Sequence, residues 1–220
     1  MEGEIGKFNI GKVRRINTPT GGIVEIFDNK ISEETQLYLK NNICESTFPW
    51  YYISFTIRDT LKENDKYQMV HILIADGEVK SQFAHDILKC FEFLPEFKTH
   101  KILRAKLNMN FPYKKKNMEL PHIDSPNPNH ISYLYYVNES DGPTLFYPYG
   151  SVLPYFYNQT NENKTSVDFK QGRLVRFPSN LLHSSSLPYK YDSRVVLNLM
   201  FEPQTPLNVE TNNGLGKFLK

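Results

Sequence analysis

Four side chains late in the sequence have the types and spacings that metal chemistry needs: His122, Asp124, His183 and Arg194. The first two stand in "LPHIDSPNP", between a lysine-rich loop and a proline-rich turn. On an extended strand, side chains at i and i+2 project from one face. His122 and Asp124 then offer an imidazole nitrogen and a carboxylate oxygen side by side to a divalent cation. H-x-D alone is a weak motif. A third ligand from a distant strand would complete a facial triad of two His and one carboxylate, leaving the opposite face open, as in non-haem Fe(II) sites. His183 is the candidate, because "GRLVRFPSNLL" reads as a strand ending at a Pro-Ser-Asn turn just before it.

Arg194 adds a second function. It opens "RVVLNLMF", an otherwise apolar strand. A guanidinium taken into apolar surroundings needs a partner, and its planar fork matches a carboxylate in bidentate fashion. If this strand runs beside the one delivering His183, the guanidinium lies behind the metal. It would then hold the far carboxylate of a dicarboxylate whose keto-acid end chelates iron.

The elements that must position these groups are strands. The chain has 220 residues, which suits one domain. Hydrophobic residues at 40% and charged residues at 23% are ordinary for a globular protein, and 14% aromatic content favours a sheet-rich core. Before residue 100, "ISEETQLYLKNNI" reads as a helix capped by Ser32, with Glu33 and Glu34 in its first turn. "SQFAHDILKCFEFL" has helical spacing at Phe83, Ile87, Leu88, Phe91 and Leu94. "FPWYYISFTI" and "MVHILIA" read as extended. From Lys101 onward short strands follow one another: "KILRAKLNMNF", "HISYLYYV", "PTLFYP", "SVDF", "RLVRFP" and "RVVLNLMFE". Turns at Ser140-Asp141-Gly142 and Lys170-Gln171-Gly172 separate some of them, a pattern that predicts a sandwich or barrel. The expected fold is mainly β with supporting helices (α+β), built on a jelly-roll core. The expected organisation is a single domain over 1–220: a support region at 1–99, the jelly roll at 100–204 and a tail at 205–220.

Several partner classes are excluded or left without support. The net charge of +2 is too weak to argue for a general nucleic-acid or membrane partner. Cys44 and Cys90 do not make a disulfide framework, so a reducing cytoplasm is expected. "MEGEIGKFNIG" lacks the apolar run of a signal peptide, and no stretch approaches the ~20 apolar residues of a membrane span. The sequons at Asn138, Asn158 and Asn163 are accordingly read as unmodified. The sequence does not specify an oligomeric state.

The order of these motifs resembles the Fe(II)/2-oxoglutarate-dependent oxygenases, on the prolyl 4-hydroxylase side. Their pattern is H-x-D, then roughly fifty or more residues, then His, then Arg or Lys about ten further on. It is matched by His122, Asp124, His183 and Arg194. "HIDSPNPNHISYLYYVN", "SDGPTLFYP" and "VDFKQGRLVRFPSNLLHSSS" are similar to the segments around those motifs, so the likeness covers about residues 100–204. "STFPWYY", the R-x-K-x-N pattern of Arg104, Lys106 and Asn108, and "RVVLNLMFE" resemble a narrower group of small oxygenases from marine viruses and bacteria. For a viral member the compartment would be the host cytoplasm.

The resemblance implies a double-stranded β-helix and a set of roles. His122, Asp124 and His183 would bind Fe(II), and Arg194 would pair with the 2-oxoglutarate C5 carboxylate. Tyr136 stands at the position of a tyrosine whose hydroxyl supports that carboxylate in some prolyl hydroxylases. Asn108 would point into the barrel near the co-substrate. The reaction implied is hydroxylation of an unactivated C–H bond by O2, coupled to decarboxylation of 2-oxoglutarate to succinate and CO2, with ascorbate supporting turnover. One departure is Val196, where many relatives have a small polar residue two after the arginine.

Peptidyl proline is the substrate the overall likeness favours. A free amino acid, another small metabolite or a nucleobase is the alternative. The base-repair branch usually has a second arginine six residues after the first, and here that position is Met200. A non-catalytic jelly-roll binding module is the third reading, opposed by the complete set of four site residues. The lysine run Tyr113–Asn117 reads as a solvated loop able to attract anions. "FPWYY" at Phe48–Tyr52 is an aromatic run that either walls a peptide groove or packs a helix–sheet seam.

Overall fold

The computed structural model describes residues 13–18, 22–53, 67–112, 121–148 and 164–204. The lysine run Tyr113–Asn117, the sequons at Asn158 and Asn163 and the segment 205–220 lie outside the described residues. Strands β1 (Val13–Asn17) and β2 (Ile23–Phe27) lead into α1 (Glu33–Ile43). Then come β3 (Tyr51–Ile53), β4 (Gln68–Ala75), β5 (Glu78–Val79), α2 (Ala84–Lys89) and α3 (Glu96–Thr99). The second half is β6 (His100–Asn110), β7 (Ile131–Tyr136), β8 (Thr144–Phe146), β9 (Thr165–Val167), β10 (Leu174–Pro178), β11 (His183–Ser185) and β12 (Arg194–Pro203).

All strand pairs are antiparallel. A large sheet runs β1-β2-β10-β7-β12-β6-β4-β3, with β5 on β4, and a small one runs β11-β8-β9. The fold is therefore mainly β with a few supporting helices. The first half contributes more than helices, since β1 to β4 extend the same large sheet.

Side-chain alternation divides the large sheet into two faces. Ala105 and Leu107 of β6, Tyr133 and Tyr135 of β7, and Val195, Leu197 and Leu199 of β12 pack with Leu39, Ile43, Ile87 and Phe91 from the helical side. The opposite set, including Leu134, Tyr136, Val175, Phe177 and Val196, faces Phe146 and Val167 of the small sheet. That second interior is the barrel. At its open end apolar side chains give way to Arg104, Lys106, Asn108 and Asn110 of β6, all turned to one cavity.

The helices follow local sequence. Ser32 caps α1 by accepting a hydrogen bond from the Thr35 backbone N–H at 3.2 Å. Leu39 and Ile43 are buried, while Leu37 is 52% exposed, so the buried stripe of this helix is narrow. The helix predicted over 81–94 keeps only Ala84–Lys89. Beyond it Phe91 and Leu94 donate to Leu88 and Phe91, three residues back, and Pro95 follows. Those tight turns still bury Phe91 and Leu94. Trp50 belongs to the helix–sheet seam: its indole N–H donates to the Ile43 carbonyl at 3.2 Å, and Phe48 packs edge-on against it at 5.3 Å. Among the described residues no helix is long and apolar enough to cross a membrane.

Candidate metal centre and its cavity

The H-x-D segment lies against the strand that delivers His183. His122 and His183 exchange both backbone hydrogen bonds, each 2.9 Å, as an isolated bridge. The backbone N–H groups of Asp124 and Ser125 donate to the Ser179 carbonyl at 2.9 and 3.1 Å. The "FPSN" turn thus fixes the H-x-D segment as well as the approach to His183. The result is that His122, Asp124 and His183 gather with their ligand atoms within 4.8 Å of one another. Among the described residues no other His, Cys, Asp or Glu group of three does so. His71, by comparison, is a satisfied core residue, held by the Pro49 carbonyl at 2.6 Å and the Ser81 hydroxyl at 2.7 Å.

The donor set suits a divalent ion. His183 Nδ1 lies 2.8 Å from the Leu181 carbonyl, so it carries the proton, and Nε2 keeps its lone pair. That Nε2 is 3.9 Å from Asp124 Oδ2, a separation one ion can bridge. Asp124 is held ionised. Burial opposes its charge, but the Arg104 guanidinium above all, with the two imidazoles and the Ser132 hydroxyl, keeps the carboxyl well below the usual carboxylate range. Arg104 donates to Oδ1. Ser132 donates to Oδ2 at 2.6 Å and lies 2.8 Å from the Ser179 hydroxyl. The Asn198 amide lies 3.3 Å from both carboxylate oxygens, and its own oxygen accepts from Arg104 at 3.3 Å.

Arg194 sits at the other end of the cavity, 3% exposed. Its Nε donates to the Gly142 carbonyl at 2.8 Å and a terminal nitrogen donates to Thr144 Oγ1 at 2.9 Å. The guanidinium lies 5.0 Å from the Phe169 ring centre and 5.7 Å from that of Tyr136, and these two rings stack 4.1 Å apart. Asn138 brackets the arginine through the backbone, donating to Ser193 O at 3.0 Å and accepting from Val195 N at 2.9 Å.

Register relates the two ends. On the interior face Arg194 pairs with Asn110, Val196 with Asn108, Asn198 with Lys106 and Met200 with Arg104. A cavity of about 190 Å3 lies over this ladder, with Arg194 and Thr144 at one end and the triad, Arg104 and Asn198 at the other. Leu134 and Val196 line it between the two ends.

Of the residues singled out from sequence, His122, Asp124, His183, Arg194 and Asn108 all line this cavity. Tyr136 does not. It is fully buried, and its hydroxyl donates to Thr144 Oγ1 at 2.7 Å, so it acts on the cavity through Thr144 and through its ring beside Arg194. Sequence reasoning assigned no role to Arg104, Ser132 or Asn198 around Asp124, nor to Gly142 and Thr144 around Arg194. A usable signal was present for Arg104: in "RAKLNMN" polar and apolar residues alternate, so four polar side chains share one face.

No protein-family model and no curated protein matches the chain. Solved structures do. An oxidoreductase of the 2OG-Fe(II) oxygenase family from Burkholderia pseudomallei is similar over 83% of this chain and 86% of its own, with a TM-score of 0.58 and 10% identity. The fold is that of the 2-oxoglutarate/Fe(II) oxygenases. A prolyl hydroxylase from Trichoplax adhaerens, in complex with a hypoxia-inducible-factor oxygen-degradation-domain peptide, has this oxygenase fold with a TM-score of 0.54 at 16% identity. That likeness covers 82% of this chain and 83% of the hydroxylase. The α-ketoglutarate-dependent epimerase SnoN of nogalamycin biosynthesis also has it, with a TM-score of 0.54, 11% identity and 89% and 86% coverage. Identities this low establish the oxygenase fold.

Proposed function

We propose that this protein is an Fe(II)- and 2-oxoglutarate-dependent oxygenase that hydroxylates an unactivated C–H bond, releasing succinate and CO2. The observation that carries the reading is the pairing of a two-His, one-carboxylate cluster with a buried arginine at opposite ends of one cavity. The donor set fits iron: two imidazoles and an ionised carboxylate on one side, with open positions toward the cavity. His122, Asp124 and His183 would hold the ion. Arg194 and Thr144 would take the C5 carboxylate, and Leu134 and Val196 would line the middle of the co-substrate. Iron and the keto acid, when bound, supply the oxidative chemistry that couples decarboxylation to oxygen insertion.

The chain's own residues prepare that chemistry. Arg104, Ser132 and Asn198 hold Asp124 charged and fixed in direction. The Leu181 carbonyl selects the His183 tautomer. Gly142, Tyr136 and Phe169 fix the guanidinium plane. Val196 offers no hydrogen bond to the co-substrate, which leaves its carboxylate to Arg194 and Thr144. Ascorbate would support turnover by keeping iron reduced.

Peptidyl proline is the first substrate class, supported by the motif likeness to prolyl hydroxylases. A small-molecule substrate is the second reading, favoured by the cationic side chains on the β6 wall. The test is succinate formation by anaerobically Fe(II)-loaded protein exposed to O2, with and without a (Pro-Ala) or polyproline peptide. Peptide-stimulated turnover that is lost in Asp124→Ala supports prolyl hydroxylation. Turnover that no peptide stimulates keeps the oxygenase and moves the substrate to small molecules. Absence of iron-dependent turnover, with 2-oxoglutarate failing to bind, leaves a binding module.

A further inference from the structure

One wall of the cavity is not used by the metal or by the proposed co-substrate contacts. Lys106 and Asn108 of β6 and Gln68 of β4 line it. Gln68 is 5% exposed and Lys106 is partly buried. Among the described residues the Lys106 ammonium has neither a hydrogen bond nor an ion pair, and the two carboxamides make no hydrogen bond. Burial pushes the lysine down to about 8, with Arg104 repelling it and Asp124 attracting it. Arg104 is different, being committed to Asp124 and Asn198. A cation kept in a cavity without a partner lowers stability, and such a group is retained where a ligand completes it.

The charges along the cavity indicate what kind of ligand that is. Among the described residues its lining carries Arg104, Lys106 and Arg194 against the single carboxylate of Asp124. A divalent ion and a dianionic keto acid cancel each other, so the excess of positive charge remains. Lys106 also lies close to the metal end: it pairs across the strand with Asn198, whose amide touches Asp124 at 3.3 Å. The matching negative charge must therefore sit close to the carbon that is oxidised. In a peptidyl proline the neighbouring backbone is neutral, whereas a free amino or carboxylic acid carries its charge within a few bonds of every carbon.

The geometry points to Lys106 as the anchor for the carboxylate of a small primary substrate. This rests on the oxygenase reading above, whose second substrate class it narrows to carboxylic acids.

The test uses the full chain loaded with redox-inert Zn(II) and 2-oxoglutarate. Ligand-observed NMR then screens the free L-amino acids and C3–C6 mono- and dicarboxylates, each against its primary amide, together with a (Pro-Ala) peptide capped at both ends. The expected result is that at least one acid binds, its amide binds at least tenfold more weakly, and Lys106→Met removes the difference. The loss should fall on the acid and not on 2-oxoglutarate. Lys106→Met should also melt at or above the parent temperature, since it removes an unpaired cation, whereas a structural lysine would lower it. Equal binding of acids and amides, no acid bound, or a capped peptide bound as tightly as any acid overturns the proposal. So does a Lys106→Met variant that loses 2-oxoglutarate, because the lysine would then belong to the co-substrate site. Binding of 2-oxoglutarate itself is read in the same samples: its absence removes the oxygenase reading, and its presence without a bound acid removes only this one.

Discussion

Gly142 is the position where a single added methyl tests the arginine site most sharply. A Cβ there would lie 2.2 Å from the Ser186 carbonyl oxygen and 3.1 Å from Arg194 Cδ. Ordinary C···O contacts begin near roughly 3.3 Å, so one of the two backbones must move by about 1 Å. Neither yields freely, because Ser186 N donates to Pro143 O at 2.8 Å. The Gly142 carbonyl would then be carried off the 2.8 Å bond it accepts from Arg194 Nε. Overpacking of this kind destabilises by about 1–3 kcal/mol. Losing one hydrogen bond to a charged group is worth about 1.5–3 kcal/mol, and 1.4 kcal/mol is about tenfold in affinity. Gly142→Ala should therefore weaken 2-oxoglutarate binding by at least about tenfold in Zn(II)-loaded protein, read by calorimetry, together with a lower urea midpoint. Gly77→Ala is the control. Gly77 has φ +78 in the β4–β5 turn and meets only the flexible end of Lys101 and the Ile102 carbonyl, away from the cavity. It should lose stability and keep 2-oxoglutarate affinity. A Gly142→Ala protein that loses stability but binds 2-oxoglutarate within twofold of the parent would refute the orienting role of this carbonyl.

Three further outcomes are expected. Arg194→Ala should raise the 2-oxoglutarate requirement of succinate formation at least tenfold and leave the Fe(II) requirement nearly unchanged; an equal rise in both would show that the arginine supports the metal. Arg104→Met leaves the buried Asp124 carboxylate without its cation, so the metal-free protein should lose about 3 kcal/mol of stability, and Zn(II) should restore part of that loss in a thermal melt. Asp28 is held below its ordinary value chiefly by hydrogen bonding to Arg173, at 2.7 and 3.0 Å. A depressed folded value gives stability that is present above the unfolded pKa of about 3.9 and is lost as pH falls through the folded one. Asp28→Asn should accordingly be less stable than the parent at pH 7, with the gap closing below about pH 4 in acid unfolding curves; a gap that stays constant would show that the carboxylate's charge contributes nothing.

The sequence made the strands of the second half legible because their apolar residues alternate and turn residues separate them. Leu174–Pro178 and Arg194–Pro203 fall where the pattern places them. Strand β11 was hidden, because "HSS" has no apolar alternation and its pairing with β8 comes from tertiary contact. The shortened α2 was hidden for a related reason: Phe91 and Leu94 keep helical spacing while the backbone tightens into turns before Pro95. At the site, ligand types and spacing were readable from H-x-D, the second His and the arginine. What lies behind them was not. Ser132 is 8 residues from Asp124, Asn198 is 74 and Gly142 is 52 from Arg194, and no local rule links positions that distant.

The sheet order has a consequence for synthesis. Among the described strands β12 is the last to emerge, yet it lies between β7 and β6. Asn198 meets Arg104 from 94 positions away. At 5–20 residues per second a ribosome takes roughly 5–20 s to cover that distance. During that interval β4–β6 and β7–β10 can each pair locally, but they cannot join. A nascent chain stalled before Arg194 is thus two half-sheets with facing bare edges, open to strand addition from neighbours. The strand that closes this gap is also the one that carries Arg194 and brings Asn198 to Asp124, so closing the sheet and finishing the site are one event. Translation halted before Arg194 should leave a protein that aggregates, rather than a soluble one that merely lacks activity.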